Sequence, residues 1–550
     1  MKLFISLIII ACLMYSCRKD DKPAVSYISI DSIFVNNSYI SNNKIVNGVD
    51  YDQFELRIKF DRNVDSSQFN KNKLFFSGEG VIDYSYYFLD NKNLIVKPVN
   101  NLKALTSYRV SFDQGQNLGA TVLNFYSFII RTGLDSTAKF PIITDTELLT
   151  LVQEKTFEYF WDYGHPVSGL ARERLGSGEM VTSGGSGFGL MAIITGIERN
   201  FITRQQGLER LKKIVNFLIS PETDKFHGAF PHWLNGTSGK IIPFGANDNG
   251  GDLVETSYLM QGLLTVNEYF NNGSPEEISL CDSIRKLWEN VEWDWYRKNS
   301  ENVLYWHWSP TIAWQLNHQI RGWNEALIVY VLAAASPTHS IPADVYNQGW
   351  ARNGAYPMIN GKNYYNILLP LGPDWGGPLF FAHYSFLGLD PAIVDQYANY
   401  RTQNTAHSLI NYKYCIDNPK NYAGYSKDCW GLTASDIETG YTASSPTNDN
   451  GVIAPTAALS SFPYTPVESM DALKFFYYIL GDKIWGEYGF NDAFNLTSLW
   501  FADSYLAIDQ GPIICMIENY RTGLLWDLFM SNTDIQNGLS KLSFTYTETK

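Results

Sequence analysis

The segment from Asn247 to Leu264, NDNGGDLVETSYLMQGLL, places acidic residues at the start of an apolar helix. Glu255 lies one turn into the predicted helix, behind Asp248 and Asp252, and no Lys or Arg occurs between Lys240 and Arg285. An acidic residue in a first helical turn can simply stabilise the helix dipole. Neighbouring carboxylates without a base, however, also raise a carboxyl pKa, as a general acid requires. Glu255 is therefore our candidate acid.

Aromatic and histidine residues alternate in two further segments, FPHW at 230–233 and YWHW at 305–308. Flat rings stack on the faces of sugars, and imidazoles donate hydrogen bonds to hydroxyl groups. We therefore predict that His232, Trp233, His307 and Trp308 bind a sugar. Together with Glu255, they favour a glycosidase, although a single histidine is more often structural.

A second carboxylate is required if the sugar bond is hydrolysed with inversion, about 6.5–9.5 Å from the acid and with room for water. Two late loops compete for this role, CWGLTASD with Asp436 and SPTNDNG with Asp449. Trp430 beside Asp436 could form the floor of a sugar subsite, which favours Asp436 narrowly. Asp449 could instead organise a turn, because Asn and Gly flank it. A loop-capping role stays open for both.

Further binding candidates are polar residues in loops or at helix starts. Glu173 lies between Arg172 and Arg174, so we expect a lowered pKa that suits hydrogen bonding to sugar hydroxyls or an ion-pair network. Glu325 is an acidic alternative that could equally cap its own helix. The glycine-rich segment GGSGFG at 184–189 lacks the Lys-Ser/Thr of a phosphate loop, and we interpret it as a loop of close backbone approach. The remaining candidates are Arg172, Asp252, Arg321, Asn324, Asp374, Trp375 and His383.

Composition limits the class of protein. A chain of 550 residues favours two domains, and 45% apolar and 15% aromatic residues favour well-packed cores. A net charge of −14 argues against nucleic acid as a partner. Neither HExxH nor CxxC occurs, so we expect neither a metal nor another cofactor. We expect a monomer.

The amino terminus has the pattern of an export signal. Met1-Lys2 precedes an apolar run from Leu3 to Met14, which is too short to span a bilayer permanently. Ser16-Cys17 resembles a bacterial lipobox, which implies a signal peptide at 1–16, a lipid on Cys17 and a tether at 17–23. We therefore expect an outer-membrane lipoprotein, periplasmic or at the cell surface. An ordinary signal with a chance cysteine is the alternative.

Four cysteines remain after Cys12 and Cys17. Export permits disulfides. Cys415 and Cys429 flank a loop rich in Pro, Gly and Tyr and are the plausible pair, although the sequence leaves their bonding open. Cys281 and Cys515 lie in apolar helical segments and are expected to be buried thiols.

The periodicity of apolar residues changes along the chain. Residues 24–132 show short alternating runs such as FELRIKF, typical of an antiparallel sandwich, and 133–141 is a plausible linker. From 142 to 550 the pattern is helical. Capping boxes are predicted at Thr144 with Glu147, Thr203 with Gln206, Ser274 with Glu277 and Thr465 with Glu468. Further helices are expected at 255–270, 321–335, 391–412, 467–480 and 512–530.

Two resemblances give these patterns a fold. The segments FELRIKFDRNVD, LTSYRVSF and FYSFIIRTG resemble bacterial Ig-like domains. The region from about 141 to 550 resembles the bacterial glucoamylase-like family that includes β-1,2-glucanases, through segments such as FEYFWDYGHPVSGLARER, DNGGDLVETSYLMQGLL, LPLGPDWGGPLFFAHYSFLGLDP and DQGPIICMIENYRTGLLW. That resemblance implies an (α/α)6 toroid hydrolysing β-linked glucan, most likely β-1,2-linked, by inversion and without a metal, with Glu255 in the matching DLVET segment.

Two other functional classes stay open at this point. A noncatalytic surface glycan-binding lipoprotein would carry the same aromatic residues. A polysaccharide lyase could also use a helical toroid, but lyases acting on uronates usually need basic groups, and the loops here are acidic.

Overall fold

The computed structural model describes residues 26–546, which form two compact units that divide after Ser136. This division falls inside the segment 133–141 that the sequence marks as a linker. The signal peptide, Cys17 and the whole tether at 17–23 lie outside the described residues. Within the described range, no helix combines the length and apolarity needed to cross a bilayer.

The first unit is built from strands. Their bounds are β1 Tyr27–Ile28, β2 Ile30–Val35, β3 Ser38–Ile40, β4 Ile45–Val49, β5 Leu56–Phe60, β6 Leu74–Ser77, β7 Tyr84–Asp90, β8 Asn93–Pro98, β9 Ser107–Phe112, β10 Thr121–Val122 and β11 Tyr126–Thr132. A five-stranded sheet has the order β3-β2-β5-β8-β7 and a four-stranded sheet the order β4-β11-β9-β6. Alternate residues of both sheets form one hydrophobic core. Pairing is antiparallel except for β1 with β10 and β4 with β11, which are parallel and depart from the all-antiparallel expectation.

The second unit is mainly helical. Its α-helices are α1 Asp145–Trp161, α2 Ser183–Glu198, α3 Arg204–Ile219, α4 Leu253–Phe270, α5 Pro275–Glu289, α6 Leu327–Ala335, α7 Tyr400–Asp417, α8 Pro455–Leu459, α9 Pro466–Lys474, α10 Gly481–Ile484, α11 Ala507–Arg521, α12 Leu524–Ser531 and α13 Thr533–Lys541. Two short π-helical segments of this unit are Val345–Trp350 and Phe475–Ile479.

Short strands join these helices. They are β12 Met180–Thr182, β13 Trp233–Asn235, β14 Ile241–Ile242, β15 Gly251–Asp252, β16 His307–Trp308, β17 Ile359–Tyr364, β18 Ile367–Leu371, β19 Ile393–Val394, β20 Ala434–Ile437, β21 Gly440–Ala443, β22 Trp485–Gly486, β23 Gly489–Phe490, β24 Phe494–Asn495, β25 Trp500–Phe501 and β26 Thr545–Tyr546. The unit is therefore not purely α-helical, because many of its loops pair as small ladders.

Four helices, α2, α4, α6 and α11, are buried on nearly every face along most of their length. Apolar residues surround such a helix, whereas α3 and α5 bury only one face and are amphipathic. Helix α2 packs against both α4 and α11. The second unit therefore has inner helices and outer helices.

Glycines allow α2 and α4 to approach closely. A Cβ atom on Gly187 would lie 2.1 Å from the carbonyl oxygen of Tyr258, and one on Gly262 would lie 2.2 Å from that of Gly187. The GGSGFG segment is thus part of helix α2, not a loop as expected, although the expected close backbone approach is present.

Three of the four predicted capping boxes are present. Thr144, Thr203 and Ser274 form the predicted capping boxes. Thr465 makes no cap because its hydroxyl donates to the carbonyl oxygen of Ser461 at 3.3 Å. Gly523, with φ of +76°, divides the expected helix 512–530 into α11 and α12.

The cysteines of the second unit are all buried free thiols. This confirms the expectation for Cys281 and Cys515. Cys415 and Cys429 are not bonded to each other, so the plausible disulfide is absent. Burial raises the pKa of the Cys415 thiol to about 12.

Replacing Gly187 with Ala is expected to destabilise the second unit by about 3 kcal/mol or more, because the new methyl group meets backbone atoms that cannot rotate away. Denaturant unfolding followed by tryptophan fluorescence measures the change. Gly245→Ala is the matched control, since a Cβ there meets no atom within 4 Å. Equal stability of the two variants would contradict a glycine-dependent helix contact.

Candidate active site

Asp252 organises the start of helix α4. One carboxylate oxygen accepts the N–H groups of Val254 and Glu255, both at 2.9 Å. The other accepts the indole N–H of Trp306 at 3.0 Å and lies 3.1 Å from Nδ1 of His232. Asp252 is fully buried. Both oxygens are therefore occupied by protein groups, and Asp252 positions its neighbours.

Glu255 is buried in the first turn of α4. Its Oε2 accepts the N–H of Gly184 at 2.8 Å and the hydroxyl of Thr182 at 3.3 Å. Its Oε1 lies 3.9 Å from Nε2 of His232. Burial raises the pKa of Glu255, while the charge of His232 and the two donors oppose that rise. The site thus holds Glu255 in a fixed, hydrogen-bonded position.

Two further groups complete the charge distribution beside Glu255. Burial disfavours the charge on His232, but Glu255 and Asp252 outweigh it and raise the pKa of His232 to about 9. Burial and the Asp252 carboxylate raise the pKa of Asp248 to about 7. His307 is buried, which lowers its pKa, and its Nε2 accepts the N–H of Asn249 at 3.1 Å.

His232, Asp248 and Asp252 have ligand atoms within 4.8 Å of one another, a spacing that a metal ion could bridge. Hydrogen bonds already occupy both oxygens of Asp252. Asp252 therefore has its hydrogen-bonding capacity used by protein groups.

Aromatic rings surround this acidic group. Phe244, which is 51% exposed, stacks on His232 with centroids 4.2 Å apart, and Trp233 packs against Phe244 at 4.8 Å. Trp306 stacks on His318 at 4.9 Å with an angle of 10° between the rings. The short ladder of β15 and β16 places Trp308 opposite Gly251. Flat, partly exposed rings of this kind suit stacking against sugars.

Glu325 lies two residues before helix α6. The hydroxyl groups of Ser385 and Tyr258 donate to its backbone oxygen, the latter at 3.4 Å. Among residues 26–546, no side chain or backbone N–H of another residue donates a hydrogen bond to its carboxyl group. Burial, with Glu255 and Asp252 contributing, raises the pKa of Glu325 to about 7. Glu325 is thus a partly exposed carboxyl group that is half protonated near neutral pH.

Asp436 lines a cavity of about 580 Å³ together with Tyr441, Trp500 and Ser504. Its two oxygens lie 3.1 and 3.2 Å from Nη1 of Arg174, and the hydroxyl of Ser504 donates to it at 2.6 Å. Arg174 also donates from Nε to Glu173 at 3.0 Å. These donors stabilise an ionised Asp436.

Two buried carboxyl groups lie behind Asp436. Oδ2 of Asp492 accepts the backbone N–H of Asp436 at 2.7 Å. Asp509, in the first turn of α11, faces Asp492. Burial raises the pKa of Asp492 to about 7, and burial together with Asp492 raises the pKa of Asp509 well above its ordinary value.

Tyr384 is influenced by carboxyl groups from both acidic groups. Burial raises the pKa of its phenol well above the ordinary value, and the charges of Asp509 and Glu325 add to that rise. Its ring packs against Phe188 of α2 and Tyr258 of α4. Two carboxyl groups that are distant in sequence therefore act on one tyrosine.

Known proteins are similar to this chain in sequence and in structure. Residues 317–533 match the Glycoamylase family model, described as "Putative glucoamylase". An endo-β-1,2-glucanase from Chitinophaga pinensis, solved with sophorotriose and glucose, is 54% identical over 74% of this chain and 99% of its own, with a TM-score of 0.71. The chain belongs to this glucoamylase-like family.

Two members from Parabacteroides distasonis extend the comparison. A β-1,2-glucanase structure is 40% identical over 94% of this chain and 74% of its own, with a TM-score of 0.71. An exo β-1,2-glucooligosaccharide sophorohydrolase acting at the non-reducing end is 49% identical over 428 residues, 74% of this chain. The match spans 59% of the length of that curated relative.

Asp449 does not share the surroundings of Asp436. It is buried and accepts hydrogen bonds from the hydroxyls of Tyr425 at 2.7 Å and Tyr414 at 3.1 Å. It also accepts the N–H of Gly451 at 3.0 Å, the turn-forming bond that the sequence suggested. A carboxylate occupied in this way organises a loop in this family member.

Several binding candidates are engaged elsewhere. Trp430 is fully buried and donates to the carbonyl oxygen of Glu468 at 3.1 Å, so it cannot form the floor of a subsite. His383 is buried beside Ser461, and burial lowers its pKa to about 3. Asp374 binds Lys362 at 2.5 Å, which lowers the pKa of Asp374.

The other candidates lie in three different places. Arg172 donates to the carbonyl oxygens of Gly178 and Tyr163, so it holds a loop. Trp375 packs at 5.8 Å against Tyr414, on the Asp449 side. Asn324 caps the backbone next to Glu325 by accepting the N–H of Ala326 at 2.9 Å, and Arg321 is exposed three residues earlier.

Sequence reasoning missed Asp492, Asp509, Tyr384, Ser504 and Phe244. Asp509 repeats a recognisable signal, because an acidic residue in the first turn of an apolar helix is the same pattern that singled out Glu255. Asp492 and Tyr384 carry no local signal, since their role depends on which loops meet.

Replacing Asp449 with Ala is expected to lower the free energy of unfolding by about 2–3 kcal/mol, because two buried tyrosine hydroxyls lose a charged acceptor. The pH dependence of any activity should stay unchanged. Asp417→Ala is the control, since Asp417 is exposed and accepts one tyrosine hydroxyl, at 3.0 Å. A stable variant with a shifted pH profile would give Asp449 a role in the chemistry.

Proposed function

We propose that the protein is a glycoside hydrolase that cleaves β-1,2-linked glucan with inversion. The observation that carries the proposal is Glu325, a partly exposed carboxyl group that accepts no hydrogen bond from another described residue and whose pKa is raised to about 7. The names of the relatives from C. pinensis and P. distasonis support the substrate, since each names a β-1,2-linked glucan or oligosaccharide.

Glu325 is the proposed general acid. A general acid works best when its pKa lies near the working pH and its proton can reach the leaving oxygen. The carboxyl of Glu325 is partly exposed, free of donors from other residues in the described chain, and has a pKa of about 7. Glu255, our candidate from sequence, is nearly fully buried and bound to Gly184 and Thr182. In this assignment, Glu255 stabilises the charge on His232 and contributes to the electrostatic potential at Glu325.

Asp436 is the proposed general base. A base for inversion must be ionised and must contact water. Asp436 meets both requirements, because Arg174 stabilises its charge and it lines a cavity. Asp509 is the second candidate, because Asp509 and Glu325 both act electrostatically on Tyr384. The raised pKa of Asp509 indicates that its carboxyl group is protonated before the reaction, and a protonated carboxyl group cannot act as a base.

The sugar is proposed to bind on the aromatic surface beside Glu255. Phe244, Trp233 and Trp306 offer partly exposed rings, and His232 and Asp248 offer hydrogen bonds at their edge. Asp248, with a pKa of about 7, can donate to or accept from a hydroxyl group.

The finer architecture follows the same reasoning. The inner helices α2, α4, α6 and α11 and the outer helices α3 and α5 support an (α/α)6 toroid, and the two sheets of the first unit support an Ig-like sandwich. Both remain part of the proposal, as does export as a lipoprotein anchored through Cys17 in the outer membrane.

A noncatalytic glycan-binding protein is the competing function. It would use the same aromatic rings but would have no need for a carboxyl group with a pKa near 7. A lyase is disfavoured by the charge around Glu325, where the carboxyl groups of Glu255 and Asp252 contribute to its raised pKa.

The wild type is expected to release reducing ends from β-1,2-glucan, with kcat/KM falling above about pH 7 as Glu325 loses its proton. Glu325→Gln should reduce kcat by about 10²–10⁴-fold while glucan binding persists. Glu255→Gln is the comparison and should keep measurable turnover. The reverse ranking would assign the acid role to Glu255, and binding without any turnover by the wild type would favour the glycan-binding class.

Asp436→Ala and Asp509→Ala separate the two base candidates. Loss of the base should stop water attack, and azide, a small anionic nucleophile, should restore cleavage by forming an α-glycosyl azide. We expect rescue in Asp436→Ala. Proton NMR of the first wild-type products should show the α-anomer, as inversion at a β-linkage requires. A β-anomeric product would contradict inversion, and rescue only in Asp509→Ala would move the base to Asp509.

A further inference from the structure

Asp492 occupies a position that the proposed chemistry does not yet use. It is 3% exposed, and it lies between β20, which carries Asp436, and α11, which carries Asp509. Its own backbone N–H donates to the carbonyl oxygen of Ser504 at 2.9 Å, and the hydroxyl of Ser504 donates to Asp436. Asp492 therefore contacts both the backbone of Asp436 and the residue that binds the Asp436 side chain.

The carboxyl groups of Asp492 and Asp509 are short of hydrogen-bond donors. Oδ1 of Asp492 and both oxygens of Asp509 are buried, and no protein donor among residues 26–546 reaches them. Two carboxylates in contact away from water cannot both stay ionised, because repulsion and desolvation act together. A single proton between them turns two unpaired acceptors into one hydrogen bond.

We propose that Asp492 is a positioning residue that ties the backbone of Asp436 to the carboxyl group of Asp509 through one shared proton. With that proton in place, the pair carries one negative charge.

The groups that face the pair set the expected pH effect. Asp436, Arg174 and Tyr441 surround it, together with Tyr384 on the side of Asp509. In Asp492→Asn the single negative charge stays on Asp509, and the amide oxygen can still accept the N–H of Asp436 but no proton is shared between two acids.

Asp492→Asn and Asp492→Ala test the proposal, which rests on the proposed glycan hydrolysis. The amide can still accept the N–H of Asp436, so Asp492→Asn should turn over. Its kcat and KM should stay close to the wild-type values, because the acceptor for the Asp436 N–H is kept. Asp492→Ala loses the acceptor and should lose about 100-fold in kcat with little change in KM. Asp482→Asn, exposed on α10, is the control and should match the wild type.

A stability measurement keeps the inference testable without activity. The raised pKa of Asp492 and Asp509 means that the folded state keeps protons which the unfolded state releases above about pH 4. Stability therefore falls as pH rises from about 4 towards 7 and beyond. The fall in Tm between pH 5 and pH 8 should be smaller in Asp492→Asn, which has one acid fewer.

The outcomes separate the inference from the proposed function. An unchanged Tm–pH slope in Asp492→Asn would overturn the shared proton, and wild-type kinetics in a folded Asp492→Ala would overturn the positioning role of Asp492. If Asp492→Ala does not fold, the amide variant decides. A wild type that releases no sugar would refute the hydrolase, while the Tm–pH slope would still report on the shared proton.

Discussion

The site depends on a shortage of positive charge. Carboxyl groups gather where inner helices begin, with Glu255 in the first turn of α4, Glu325 just before α6 and Asp509 in the first turn of α11. The positive ends of these helix dipoles favour negative charge there, but only weakly. Arg174 and His232 neutralise their immediate partners. The remaining carboxyl groups relieve repulsion by holding protons, and a retained proton is what acid catalysis uses.

One half of this site could be predicted from sequence. Asp248, Asp252 and Glu255 lie within eight residues of one another, and His232 and His307 stand in repeated His-Trp pairs, so local patterns reveal them. The structure brings these residues together through the cap of α4 and the short ladder of β15 and β16.

The other half could not be predicted, because its chemistry arises from loops that meet in space. Asp492 and Tyr384 have unremarkable neighbours in sequence, and their surroundings come from α11, β20 and the segment before α7. Residue type also misled at Trp430 and Asp449. Both sit in loops rich in polar residues, yet tertiary packing buries them and uses their polar atoms to hold the loops.

The contact between Gly187 and Gly262 has a consequence for how such an enzyme could diversify. Peptide groups, not side chains, set the separation of α2 from α4, and peptide groups have no alternative rotamers. The backbone distance between Gly184 and Glu255 is therefore fixed by the packing of the two helices. Under the proposed function, differences in linkage preference are expected to arise in the loops that bear Phe244 and Trp306, because this helix contact tolerates little change.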